Sequence, residues 1–158
     1  LLLSGLALAA FLATHQGPNA YWIAALAVMG FGVGASMTAA STVIMLSAPE
    51  EQAGMAASVE EVSFELGGAL GIALLGSLMS ALYSQAMVLP EGVTLADEAR
   101  DSLDEALMLA AGLAPDQADQ VATLARAAFD NAFVGVVGTA TAMLIGVALM
   151  LYWKLNPR

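Results

Sequence analysis

Cysteine is absent from the 158 residues, so neither a disulfide framework nor a thiolate metal site is available. Histidine occurs once, as His15 beside a Gly-Pro turn, which leaves no His-based metal cluster and no Ser-His-Asp arrangement. Lysine and arginine together number four, too few for a nucleic-acid footprint, and no Walker-type glycine loop is present. No enzyme chemistry, metal or cofactor is therefore expected. Charge of either sign is scarce at 11% of residues, while 59% are hydrophobic, a balance that a soluble domain of this length rarely reaches. The composition is that of a membrane protein.

What is present is long apolar runs. Ala20 to Leu46, Val62 to Leu82 and Asn131 to Trp153 can each cross about 30 Å of hydrocarbon at about 1.5 Å per residue. Leu1 to Thr14 is too short, and it starts without an initiator Met, a basic region or a cleavage site, so it reads as a helix cut in half. The chain is expected to be the carboxyl-terminal piece of a longer polytopic protein. Aromatics mark the span ends at headgroup level: Tyr21 and Trp22, Tyr83, and Tyr152 with Trp153. His15 to Asn19 is a turn. Ser47 to Gly54 reads as a helix restart, with Pro49 early and Ser47-x-x-Glu50 in capping-box spacing.

The expected fold is all-α, with antiparallel transmembrane helices. Residues 1–14 are a partial span, 20–47 a full span, 49–83 a span carrying an acidic site, 130–154 the last span and 155–158 a tail. Residues 84–129 form an acidic insert. From Glu91 to Asp130 nine carboxylates face two arginines, which accounts for seven of the ten net negative charges. Leu95, Ala99, Leu103, Ala106, Leu107 and Ala110 recur at helical spacing, Gly112 suits a helix end, and Pro115 opens a second stretch with Asp116 and Asp119 in its first turn. The insert reads as a helical hairpin outside the bilayer. Lys154 and Arg158 in the last five residues favour a cytoplasmic tail and an extracytoplasmic hairpin.

Three glutamates open the run from Ser58 to Ser80. Glu61 and Glu65 are four apart and share a helical face with Gly68 and Ile72, whereas Glu60 is rotated by about 100° alongside Phe64, Gly67 and Gly71. A carboxylate at a membrane helix centre costs about 2.5–3.5 kcal/mol on insertion scales and faces a cavity or a partner. Glu65 is expected to point inward. Ser58-x-x-Glu61 also has capping-box spacing, so Glu60 and Glu61 fit headgroup water equally well. Burial and a neighbouring like charge both favour the neutral form of a carboxylate, which makes a proton-binding pair that also attracts a cation.

Gly67, Gly68, Gly71 and Gly76, and Gly30 with Gly34, give small residues at the spacing that lets membrane helices pack closely. Ser36, Thr38, Ser41 and Thr42 either bond their own preceding carbonyls or line a cavity, and Met29, Met37 and Met45 read as filler.

The stretch "GFGVGASMTAASTVIMLSAPEEQAGMAASVEEVSFELGGALGIALLGSLMSALY", Gly30 to Tyr83, resembles the last third of the fourteen-helix drug/proton antiporters of the major facilitator superfamily, the branch that exports quaternary ammonium compounds. The resemblance rests on Pro49-Glu50, Ala53-Gly54, Ala57-Ser58-x-Glu60-Glu61, and Glu65 through Ala73 with Gly76. It implies that the spans are helices eleven to fourteen of a multi-pass cell-membrane transporter, whose amino-terminal portion is missing here. It also implies that both ends of the full protein are cytoplasmic and that the insert is the outward loop between the last two helices. The family's acidic residues, implicated in recognising cationic substrate and in proton coupling, match Glu61 and Glu65, while the basic residue often found in the link Ser47 to Gly54 is lacking. The expected partners are protons, an organic cation and the lipid bilayer. Export of a non-cationic solute, and a non-transporting membrane subunit whose acidic hairpin docks a partner, remain open at this point.

Overall fold

The computed structural model describes residues 1–89 and 97–156, which form helices and no strand. Five α-helices follow in order: α1 Leu2–Thr14, α2 Asn19–Ser47, α3 Ala53–Ala86, α4 Leu103–Ala110 and α5 Pro115–Leu155. Single 3-10 turns at Glu50–Gln52 and Asp97–Arg100 precede α3 and α4. Glu91 and Leu95, which the sequence places in the acidic insert, and Arg158 in the tail lie outside the described residues. Asn19–Ser47, Glu50–Ala86 and Pro115–Leu155 are long and apolar enough to cross a membrane, and α1 is not.

Helix boundaries follow local chemistry. α2 stops where Ala48 turns to extended backbone ahead of Pro49, as expected for a residue whose helical conformation the proline ring disfavours. The restart at Glu50 uses no side-chain cap, so the Ser47-x-x-Glu50 spacing is not used as a capping box. α4 does carry a side-chain cap: Ser102 Oγ accepts from the Glu105 amide at 3.2 Å. Past Ala110 the chain turns at Gly112, whose amide donates to the Leu109 carbonyl, and Pro115 opens α5. α5 then runs 41 residues without a break, about 60 Å at about 1.5 Å per residue and twice the hydrocarbon thickness. The second arm of the hairpin and the last span are therefore one helix. Asp130 and Asn131 do not interrupt it, because alanines precede them and no glycine or proline intervenes.

The chain divides into two compact units, Leu1–Ile72 with Val137–Arg158, and Ala73–Val136. In the first unit small residues set the approach of the helices. Ser4 on α1 is fully buried against Gly32 on α2, and its hydroxyl donates to the Met29 carbonyl at 3.4 Å. A methyl group at Gly32 would overlap Ser4 Oγ and lie 3.1 Å from the Ser4 nitrogen; one at Gly5 would stand 2.7 Å from Ile145 Cγ1 of α5. Phe11 and Trp22 close the other end of α1 edge to face, with ring centroids 6.5 Å apart. His15 caps α1, its Nδ1 2.6 Å from the Leu12 carbonyl. A Cβ at Gly30, Gly34, Gly67, Gly68, Gly71 or Gly76 meets nothing within 4 Å among the described residues. Among the described residues, close packing of α2 on α1 thus falls at Gly32, between the two α2 glycines singled out by spacing.

Gly32→Leu is expected to lower the thermal stability of the purified full-length protein, at a cost on the order of 1–3 kcal/mol for overpacking. Thermal denaturation in detergent checks this. An unshifted midpoint would mean that α1 does not press on Gly32.

The second unit holds its own buried core of Tyr83, Met87 and mostly alanines. Val121, Ala125, Ala128 and Ala132 form one face of α5, against Ala99, Ala106 and Ala110. Methyl-sized side chains let these segments approach closely. Tyr83, placed by the sequence with the headgroup-level aromatics, is 2% exposed and belongs to this core.

Candidate functional site

The polar residues of α2 and the acidic start of α3 meet around an open pocket of about 1210 Å³ within the first unit. α3 contributes one helical face: Met55 and Ala56, Val59 and Glu60, Ser63 and Phe64 recur at the spacing of successive turns, and Glu61 borders them. α2 contributes Met37, Thr38, Ser41, Thr42 and Ile44, and the link adds Ser47, Ala48, Pro49 and Gln52. Glu60 is half-buried and Glu61 exposed.

A hydroxyl in a membrane helix must find an acceptor, and here the nearest is the carbonyl one turn back. Ser36 donates to Gly32 at 2.7 Å, Thr38 to Gly34 at 3.0 Å, Thr42 to Thr38 at 2.8 Å and Ser63 to Val59 at 2.7 Å. All four line the pocket, and all four have committed their hydrogen. Thr38, Thr42 and Ser63 are left with lone pairs alone to offer, whereas the Ser36 hydroxyl also accepts from the Leu1 nitrogen at 2.8 Å. For Ser36, Thr38 and Thr42 the two readings hold together, since they bond their own helix and line a cavity, and Ser41 lines the same cavity. No lysine, arginine or histidine is among the lining residues.

Ser58 is not a cap, because α3 already begins at Ala53 and the Ser58 hydroxyl donates to Gly54 at 3.0 Å. Glu60 and Glu61 thus stand inside a helix, beyond its first turn. Glu65 is exposed, one turn past Glu61 on the same face, and is not among the lining residues. The surrounding α3 surface is bare: Val62, Phe64, Leu66, Leu70, Ile72 and Leu74 are all more than half exposed. An apolar surface of this extent belongs against lipid or further protein.

Met55 and Gln52 are lining residues that no motif in the sequence singles out, Phe64 shares the face of Glu60 as its spacing predicts, and Met37 lines the pocket rather than serving as filler. The signal for Met55 was the shared face, since residues 55, 56, 59, 60, 63 and 64 fall on one side of a 3.6-residue helix. Met29 and Met45 are not among the lining residues. Among the described residues no group of acidic or histidine side chains could hold a metal ion.

Long apolar helices around a pocket of hydroxyls and carboxylates define an all-α, multi-pass protein of the cell membrane. The chain is 34% identical over 132 residues to the methyl viologen resistance protein SmvA of Salmonella typhimurium, covering 82% of this chain and 27% of the relative. It is 36% identical over 135 residues to the multidrug efflux pump LfrA of Mycolicibacterium smegmatis, covering 83% and 26%. With the drug efflux pump JefA of Mycobacterium tuberculosis it shares 30% identity over 172 residues, covering 98% and 32%. No family model matches the chain, and no solved structure does. Over most of its length the chain is thus similar to proteins named for drug efflux or drug resistance. It spans between about a quarter and a third of the length of these relatives.

Proposed function

We propose that the chain is the carboxyl-terminal portion of a proton-coupled multidrug efflux transporter that exchanges protons for lipophilic or quaternary ammonium cations. The observation that carries this reading is the chemistry of the pocket: two carboxylates, three hydroxyls with only lone pairs left to offer, and no basic side chain. Such a lining attracts positive charge and repels anions. Phe64 adds a ring face for an onium group, and Met37 and Met55 add polarisable, adaptable surface. Methyl viologen, for which one relative is named, is an organic dication of that class.

In this scheme Glu60 and Glu61 meet the cation, and Glu65, one turn further, carries the exchanged proton. The bare face with Gly67, Gly68, Gly71 and Gly76, and the surface at Gly30 and Gly34, pack against transporter segments outside this chain. Reconstituting the full-length protein in vesicles tests the reading. Methyl viologen uptake driven by a proton gradient is expected, with no uptake of an anionic dye of similar size. Equal handling of the anion would overturn cation selectivity.

The acidic hairpin has a separable part. Glu98, Asp101, Asp104, Asp116 and Asp119 are exposed, and their field concentrates cations locally, within about 8 Å at physiological salt. Neutralising Asp97, Glu98, Asp101, Asp104 and Glu105 together is expected to weaken the apparent affinity for methyl viologen at low ionic strength, with the difference vanishing as salt is raised. A salt dependence identical to the parent protein would leave the hairpin a structural lid at most.

A further inference from the structure

Among the described residues, Tyr83 is the one large aromatic side chain in the alanine-rich core of the second unit. Its hydroxyl donates to the Ser102 carbonyl at 3.1 Å and lies 3.5 Å from the Ala99 carbonyl. These carbonyls belong to the 3-10 turn and the capping residue that start α4, and Ser102 in turn caps α4 through the Glu105 amide. Asp101 and Asp104 flank this start and are exposed. One phenol therefore joins the carboxyl-terminal end of α3 to the origin of the acidic arm. α3 is the same unbroken helix that bears Glu60, Glu61 and Glu65.

We propose that Tyr83 is a positioning residue for substrate handling: its hydroxyl fixes the acidic first arm of the hairpin to the helix that bears the transport carboxylates. The inference rests on the cation-exchange reading above, but it assigns to a residue remote in sequence from those carboxylates the task of holding the arm's charge in place. The ring alone would fill the core. The hydroxyl is what sets the arm, because a phenylalanine would leave the two carbonyls without this donor.

The test uses the full-length transporter carrying Tyr83→Phe, which keeps the ring and is expected to fold. In the purified protein, amide hydrogen exchange along α4 should quicken by about fivefold, the loss of one net hydrogen bond. In vesicles, the apparent KM for methyl viologen should rise at low ionic strength with the maximal rate little changed. Adding Tyr83→Phe to the hairpin with its five carboxylates neutralised should raise KM no further, since both changes act through the same charge. Unaltered exchange in α4 would overturn the anchoring role and leave transport standing. Faster exchange with a parental KM and salt dependence would overturn the part in substrate handling. A parent protein that does not move methyl viologen would remove the transport reading and the substrate-handling role with it, an outcome distinct from failure of the exchange measurement.

Discussion

Glu65→Gln in the full-length transporter is expected to abolish the release of protons that accompanies cation uptake, while membrane insertion and folded yield stay at parental levels. Glutamine keeps the size of the side chain and most of its hydrogen bonding, but it has no titratable proton to exchange. Glu65 shares a helical face with Glu61 one turn away. Under the proposed exchange, a cation taken up beside Glu61 would replace a proton carried by Glu65. A pH-indicator dye in weakly buffered vesicles reads the effect. Parental proton release from the Gln variant would take Glu65 out of the coupling.

Glu61→Gln should act differently, through affinity. This carboxylate lines the pocket with Glu60, among hydroxyls whose hydrogens are already committed and which cannot themselves neutralise a cation. Losing a charged partner of this kind costs about 1.5–3 kcal/mol, or roughly tenfold to a hundredfold in the apparent affinity for methyl viologen. Glu60→Gln should behave alike, and Glu60 is the more buried of the two. Equilibrium binding to the purified transporter checks both. Affinities within twofold of the parent would place the cation elsewhere.

The three spans were legible because long apolar runs have few alternatives once a helix is the only open-ended way to satisfy the backbone in lipid. The end of the hairpin was harder. Composition changes near Asp130, and a composition change reads as a boundary, yet nothing in Ala127 to Gly135 breaks a helix, so α5 continues through it. Tyr83 sits where a headgroup-level aromatic belongs, and only the tertiary contacts distinguish that role from a buried phenol bonded to Ser102. Gly32 escaped notice for a similar reason: spacing drew attention to Gly30 and Gly34, while the close contact depends on where Ser4 of α1 arrives.

Charge in an apolar run marks Glu60 and Glu61, which line the pocket, and Glu65, which does not. The pocket was less apparent, since it needs the α2 hydroxyls and the Met55 to Phe64 face to meet across the turn at Pro49. Glu65 is exposed, and a Cβ on the glycine face meets no neighbour among the described residues that would mark its role.

The central claim is that proton and cation compete for the carboxylates of α3. Binding of methyl viologen to the purified full-length transporter, measured across pH, tests it most directly. If each cation displaces one proton, linkage requires the apparent affinity to fall as pH falls, approaching about tenfold per unit where the carboxylates hold their proton. An affinity that stays constant with pH while the protein remains folded would contradict the account.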